Sequence, residues 1–144
     1  MIDAGLLCHP TSIQMAWPGV CQLVEAHGEE WLETVELNDV FCAVMQNTLE
    51  LWLGTDGSEL ELAMFCSWET HAHKRFYHLN QLIGKNLQKY MKEGLAKVEQ
   101  YACFCGAQEV VIGGRQAWLK KLEPLGYMQK YVEVRKNVQV CWRH

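Results

Sequence analysis

From Leu87 to Gly106 the apolar residues Leu87, Tyr90, Met91, Leu95, Val98, Ala102 and Cys105 recur at intervals of three and four. That spacing predicts a five-turn amphipathic helix, and Gly106 is its expected stop. Glu93 stands one turn before Lys97 and supports the helix locally. Gly94 in its interior costs about 1 kcal/mol relative to alanine, so close packing against another backbone is expected there. Four residues beyond the stop comes Val110-Val111-Ile112, a short run apolar on both sides and predicted to be a central parallel strand. A chain with this pair of elements must build a sheet around the strand and lay the helix on it.

The rest of the pattern agrees with a mixed α/β arrangement. Thr11-Ser12 are possible caps, but Pro18-Gly19 interrupts the segment, so the first helix is predicted to open with Pro18 in its first turn and to end at Gly28 in a φ > 0 conformation. A short helix is predicted from Asn38 as N-cap to Asn47, with Val40, Phe41, Val44 and Met45 inward. Residues 48–53 and 59–66 alternate around the turn residues 54–58 and read as a hairpin with one partly wet face. A third strand is expected over 75–82 after a polar connection, 69–73. Residues 115–122 read as helix, and 131–134 with 138–140 as the last strands. Residues 1–10 show no alternation and predict no strand.

The 144 residues, 49% hydrophobic and 21% charged, suit a single domain over 1–144. No apolar run approaches bilayer length, and the N-terminus lacks the basic and apolar parts of a secretory signal, so a protein soluble in the cytoplasm where it is made is expected. A net charge of −4 supplies no field for sequence-independent nucleic-acid binding. Seven cysteines, an odd set in apolar contexts, predict reduced thiols rather than a disulfide framework. His71-x-His73 and Cys103-x-Cys105 lack the tight spacing of structural zinc ligands, and no metal site is predicted.

The order of elements, with Gln81-Leu82-Ile83-Gly84-Lys85-Asn86 before the long helix and Leu125-Gly126-Tyr127 after the later one, resembles the GNAT N-acetyltransferase fold. Within it, Gly113-Gly114-Arg115-x-x-Trp118 is most like small GNAT-like proteins of tailed bacteriophages. The resemblance implies a largely antiparallel mixed sheet flanked by about four helices and splayed near Gly84. It also implies a place for acetyl-CoA, since the family's Gln/Arg-x-x-Gly-x-Gly/Ala pattern holds pyrophosphate with backbone N–H groups at a helix start. Gln81, Gly84, Lys85 and Asn86 fall on that pattern.

Two positions depart from the family. Asn86 stands where a small residue lets phosphate approach the main chain, and Leu122 stands where a tyrosine often protonates the departing thiolate, leaving only Tyr90 or Tyr127 as hydroxyls that could approach. Glu59, Glu61 and Glu69 are nearby carboxylates in the place of a general base, although alternation reads Glu59 and Glu61 as the solvated face of a hairpin. Arg115 is a candidate polar site able to hold carboxylate or phosphate, or else pairs locally, and Trp118 reads as core. Of six tryptophans, Trp17, Trp31 and Trp142 lie where a small domain has less core, and Trp31 and Trp142 are candidate partner contacts. Taken with the resemblance, these departures predict a catalytically degenerate GNAT-like phage protein without bound acetyl-CoA. It would act through contacts with other proteins, as a virion or tail component found in the host cytoplasm and then in the particle, with room for oligomers. The alternative is an acetyl-CoA-dependent N-acetyltransferase of a small or protein amine.

Overall fold

The computed structural model describes residues 2–7, 9–85, 87–113 and 119–129, with side chains described over 9–85, 87–113 and 120–129. By its contacts the chain divides into two compact units, Met1–Gly114 and Arg115–His144. The first holds β1 (Ile2–Leu7), α1 (Pro10–His27), the one-turn α2 (Glu29–Leu32), α3 (Leu37–Met45), β2 (Glu50–Asp56), β3 (Glu59–His71), β4 (Lys74–Gly84), α4 (Leu87–Phe104) and β5 (Glu109–Ile112). The second, where described, is the one-turn α5 (Leu119–Leu122) running into a 3-10 turn, Glu123–Leu125, closed by Gly126.

One sheet in the order β1-β2-β3-β4-β5 carries the first unit. The first four strands are antiparallel neighbours, and β5 runs parallel to β4, as a crossover through α4 requires. On one face Ile13, Val20 and Val24 of α1 and Val44 of α3 pack with Leu51, Ala63, Phe65 and Ile83. On the other, Tyr90, Met91 and Leu95 of α4 line one small apolar gap with Leu62, Met64 and Leu82. The alternation of β3 decides this division, because Leu62 and Met64 point one way while Ala63 and Phe65 point the other.

Several local expectations need correction. A first strand exists: β1 pairs with β2 from Ile2 opposite Asp56 to Leu7 opposite Leu51. Its pairing with β2 is long-range, and a segment without alternation gives no sign of it. Helix α1 does not open at Pro18 but at Pro10, with His9 as N-cap accepting from the Thr11 N–H at 3.2 Å. Pro18 sits inside, at an exposed position, where water can serve the carbonyl its ring leaves unbonded. Gly28 does end α1, but at φ −112° rather than φ > 0. A Cβ there would lie 2.9 Å from the Val24 carbonyl oxygen and 3.1 Å from Ile83 Cδ1, so crowding is the reason for glycine. Helix α3 begins one residue before the expected cap, after Glu36, and Val40 and Val44 are buried as expected.

Residues 69–71, expected in a loop, extend β3, and Ala72 (φ 50°) with His73 (φ 67°) forms a two-residue turn without the usual Asn-Gly. Strand β5 is parallel as predicted but half-buried, not buried on both faces. Helix α4 runs as predicted and Gly106 (φ 90°) follows it. Its Gly94, however, faces no backbone of another element: the nearest outside atom to a Cβ would be Met64 Cε at 3.8 Å, an ordinary contact. Gly94→Ala is therefore expected to stabilise the protein by about 1 kcal/mol, read as a raised urea midpoint with unchanged slope.

Candidate functional site

Strand β4 is regular against β3 until Leu79, which faces Cys66, but the next pair is Gln81 with Phe65. Asn80 is the extra residue of a β-bulge, and its side-chain amide donates to Ser67 Oγ at 2.9 Å. On the opposite edge β4 pairs with β5 over Phe76–Leu79 only, ending with the Gly113 N–H donating to the Leu79 carbonyl at 3.3 Å. From Asn80 to Gly84 that edge has no strand partner among the described residues. The sheet therefore opens into a notch at the bulge, and the open edge leads to the start of α4. The expected splay near Gly84 begins four residues earlier.

A second bulge lies in β3, where Gly54 faces Leu62 but Thr55 faces Leu60, leaving Glu61 as the extra residue. The solvated face predicted for Glu61 is thus wrong: the bulge breaks the alternation, and Glu61 is only 5% exposed. The Tyr90 hydroxyl donates to its carboxylate at 2.5 Å and Lys89 Nζ lies at 3.3 Å. Burial, then the hydrogen bond to Glu61, pushes the Tyr90 phenol up to about 12. Its proton is committed to Glu61, which takes Tyr90 out of contention as a thiolate acid. Lys89 also donates to Asp56 at 2.6 Å, and Lys85 pairs with the exposed Glu59. The Lys89 hydrogen bond holds the Asp56 carboxyl below its ordinary range. Both lysines nearest the α4 start thus already face carboxylates. Gly84 has a separate reason to be glycine, since a Cβ would collide with the Glu61 carbonyl oxygen. The Lys85 N–H donates to that same oxygen at 3.0 Å, so its backbone as well as its side chain is already engaged.

Beside the bulge, on the α1 face of the sheet, Ser67 and His78 are cross-strand partners and Glu69 follows on β3. His78 Nδ1 is fully buried with no aligned hydrogen bond, and Glu69 Oε1 lies 3.5 Å from it. The other ring nitrogen lies toward Gly113, where a Cβ would stand 3.4 Å from Nε2. The imidazole thus lies at the mouth of the notch. The segments before β4 carry acidic charge without a balancing cation. No Lys or Arg precedes Lys74, and Glu25, Glu29, Glu30, Glu33, Glu36 and Asp39, all exposed, occupy α1 to α3 and their connections.

On the α4 face, Glu50 accepts from Trp68 Nε1 at 3.1 Å and from the Tyr101 hydroxyl at 2.8 Å, and Trp52 Nε1 donates to the Tyr77 hydroxyl at 2.9 Å. Burial pushes the Cys66 thiol up to about 12, leaving it a poor nucleophile. Cys21, Cys42, Cys66, Cys103 and Cys105 are free thiols.

Of the residues singled out from sequence, Gln81, Gly84 and Lys85 are brought together along the open edge of β4. Trp31 is half-buried with its ring centroid 4.9 Å from that of Phe65, and Trp17 packs at 5.1 Å on Phe41, so core contacts account for much of their burial. Leu122 lies on α5. Asn86, Arg115, Trp118, Trp142 and the strands predicted over 131–134 and 138–140 lie outside the described residues. No helix of the described residues is long and apolar enough to cross a membrane.

Solved structures match this arrangement over nearly the whole chain. A ribosomal-protein-alanine N-acetyltransferase from Brucella melitensis biovar Abortus 2308 superposes with a TM-score of 0.73 at 9% identity, covering 94% of this chain and 98% of that one. Glucosamine-6-phosphate N-acetyltransferase from Arabidopsis thaliana gives 0.70 at 10% identity over 95% and 98%. An aminoglycoside acetyltransferase from an uncultured soil metagenomic sample, in complex with sisomicin, gives 0.69 at 12% over 96% and 97%. The chain has the GNAT acetyltransferase fold. No protein-family profile matches it, and no curated protein sequence does. At these identities the likeness concerns the fold.

The buried acids of this fold have a measurable consequence. Cys66 and Tyr90 are raised from ordinary values of 9.0 and 10.0 to about 12, so their neutral forms stabilise the folded state. That stability is complete below pH 9 and is lost as pH rises from 9 through 12, at about 1.4 kcal/mol per pH unit for each group within its window. Absorbance at 295 nm during an alkaline titration is expected to show Tyr90 ionising with unfolding, above pH 11, while the melting temperature already falls between pH 9 and 11.

Proposed function

We propose that this protein is an N-acyltransferase that uses acetyl-coenzyme A and acts on a small amine or a protein amine. The observation that carries the reading is the bulge at Asn80, beyond which the β4 edge runs unpaired to the start of α4. A backbone edge freed from its neighbour offers N–H and C=O groups to an amide-containing chain, as an exposed strand edge does to an added strand. The residues present fit the cofactor: the Asn80–Ile83 edge would hold its amide-bearing arm, with Gly84 and Lys85 at its phosphate end, where helix N–H groups favour anions. When bound, it supplies an acyl group activated as a thioester. The chain's own part is to place an amine in the notch and to accept the proton that the nitrogen sheds. Amines arrive as cations at neutral pH, and the acidic surface of α1 to α3 favours their approach.

A second reading has one observation in its favour. Lys85 and Lys89 are already engaged by Glu59, Asp56 and Glu61, so phosphate must compete with carboxylates of the same chain. A GNAT fold whose phosphate end is closed in this way would act through protein contacts, as the resemblance to phage proteins of the virion or tail implies. A thermal-shift titration separates the two. Acetyl-CoA is expected to raise the melting temperature saturably at micromolar concentration, since a ligand of the folded state must stabilise it. Glu59→Gln, by releasing Lys85, is expected to tighten binding several-fold. Absence of any shift at millimolar acetyl-CoA in both proteins, with no thiol released in the presence of primary amines, would overturn the enzyme reading.

A further inference from the structure

We propose that His78 is the catalytic base of this site and that Glu69 is the residue that positions it, an inference that rests on the N-acyltransferase reading. The place of His78 comes first. It is paired with Ser67 on one side and Val111 on the other, one residue before β4 and β5 stop pairing at Leu79 and Ile112. Its ring stands on the face that α1 and the acidic segments share, with Nε2 toward Gly113, the residue at which β5 leaves the sheet. An amine entering the notch from that face meets Nε2 before any other titratable side chain of β4.

The second part is the other ring nitrogen. Nδ1 is buried, and Glu69 Oε1 at 3.5 Å is the carboxylate it faces. The contact is longer than a good hydrogen bond, as such contacts often are before substrate closes the site. A carboxylate at Nδ1 favours a proton there, which leaves Nε2 bare and able to accept. Glu69 is half exposed and also lies 3.3 Å from His71 Nε2, so two imidazoles compete for one acid. The third part is support: Asn80, Ser67 and the tight 72–73 turn fix the register that places Glu69 two residues along β3 from the partner of His78.

The step balances. The ammonium first gives one proton through Nε2 to water; a C–N bond then forms between the neutral nitrogen and the acyl carbon, the C–S bond of the thioester breaks, and the second proton lost by nitrogen passes through Nε2 to the departing thiolate.

Two measurements on the full chain test this. In two-bond ¹H–¹⁵N spectra at pH 8, wild-type His78 is expected to carry its proton on Nδ1, and Glu69→Gln to move it toward Nε2; the same tautomer in both proteins overturns the role of Glu69. In a thiol-release assay with acetyl-CoA and spermidine, ethanolamine or a lysine peptide, His78→Gln is expected to lower kcat/KM by about 10²- to 10³-fold. The KM for acetyl-CoA should stay unchanged. Glu69→Gln, at an exposed position that tolerates change, is expected to cost about tenfold in kcat with the KM for acetyl-CoA again unchanged. A folded His78→Gln with wild-type rate overturns the base while leaving the acyltransferase reading intact. A wild-type protein that turns over none of the acceptors overturns both.

Discussion

The bulge at Asn80 is the constraint on which the rest of the arrangement depends. A continuous β4 could pair along its whole length with β5, and the sheet would close. One extra residue between the Leu79–Cys66 and Gln81–Phe65 pairs bends the strand, so the pairing with β5 ends at Ile112 and the last five residues of β4 have no strand partner on that edge among the described residues. The Asn80 amide on Ser67 holds the bulge from its own sheet. Without it, neither the notch nor the position of His78 at its mouth would exist.

The bulge at Glu61 does the complementary work at the other end of that edge. It turns a carboxylate inward among Leu62, Tyr90 and the α4 start, where a lone buried charge would cost several kcal/mol. The Tyr90 hydroxyl and Lys89 satisfy it, and its backbone carbonyl takes the Lys85 N–H. One residue thus joins β3, β4 and α4. The same bonds bring Glu59, Asp56 and Glu61 against Lys85 and Lys89, so the contacts that hold α4 to the sheet also engage the cations nearest its start.

Legibility in the sequence followed the range of the determining interaction. Helix α4 and the parallel β5 were visible because periods of three to four residues and an apolar run are local patterns. Gly106 was visible as a stop for the same reason. Strand β1 was invisible, because Ile2–Leu7 is held by backbone pairing that leaves no mark on residue type. Pro18 misled, since a proline is read as a helix opener while its exposed position inside α1 depends on where α1 meets the sheet. His78 and Glu69 were each seen, one as part of a strand and the other as a connection residue and one of three candidate carboxylates for a general base. Counting outward from a turn at Ala72-His73 would have placed them on one face, but that turn lacks glycine and asparagine and gave no signal.

The amino-acid sequence by itself determined that a long amphipathic helix sits between two strands of a mixed α/β arrangement, because burial of apolar side chains at regular intervals is written residue by residue; the GNAT type came from the resemblance of its element order. The segregation of charge, with every Lys and Arg at or after Lys74, was equally present in the linear chain. Only the tertiary structure decided which carboxylate is buried, which edge is free and which histidine stands at the opening. Each of these depends on a single-residue slip in strand register. A slip of one residue changes the face of every side chain beyond it, while leaving composition and periodicity almost unaltered.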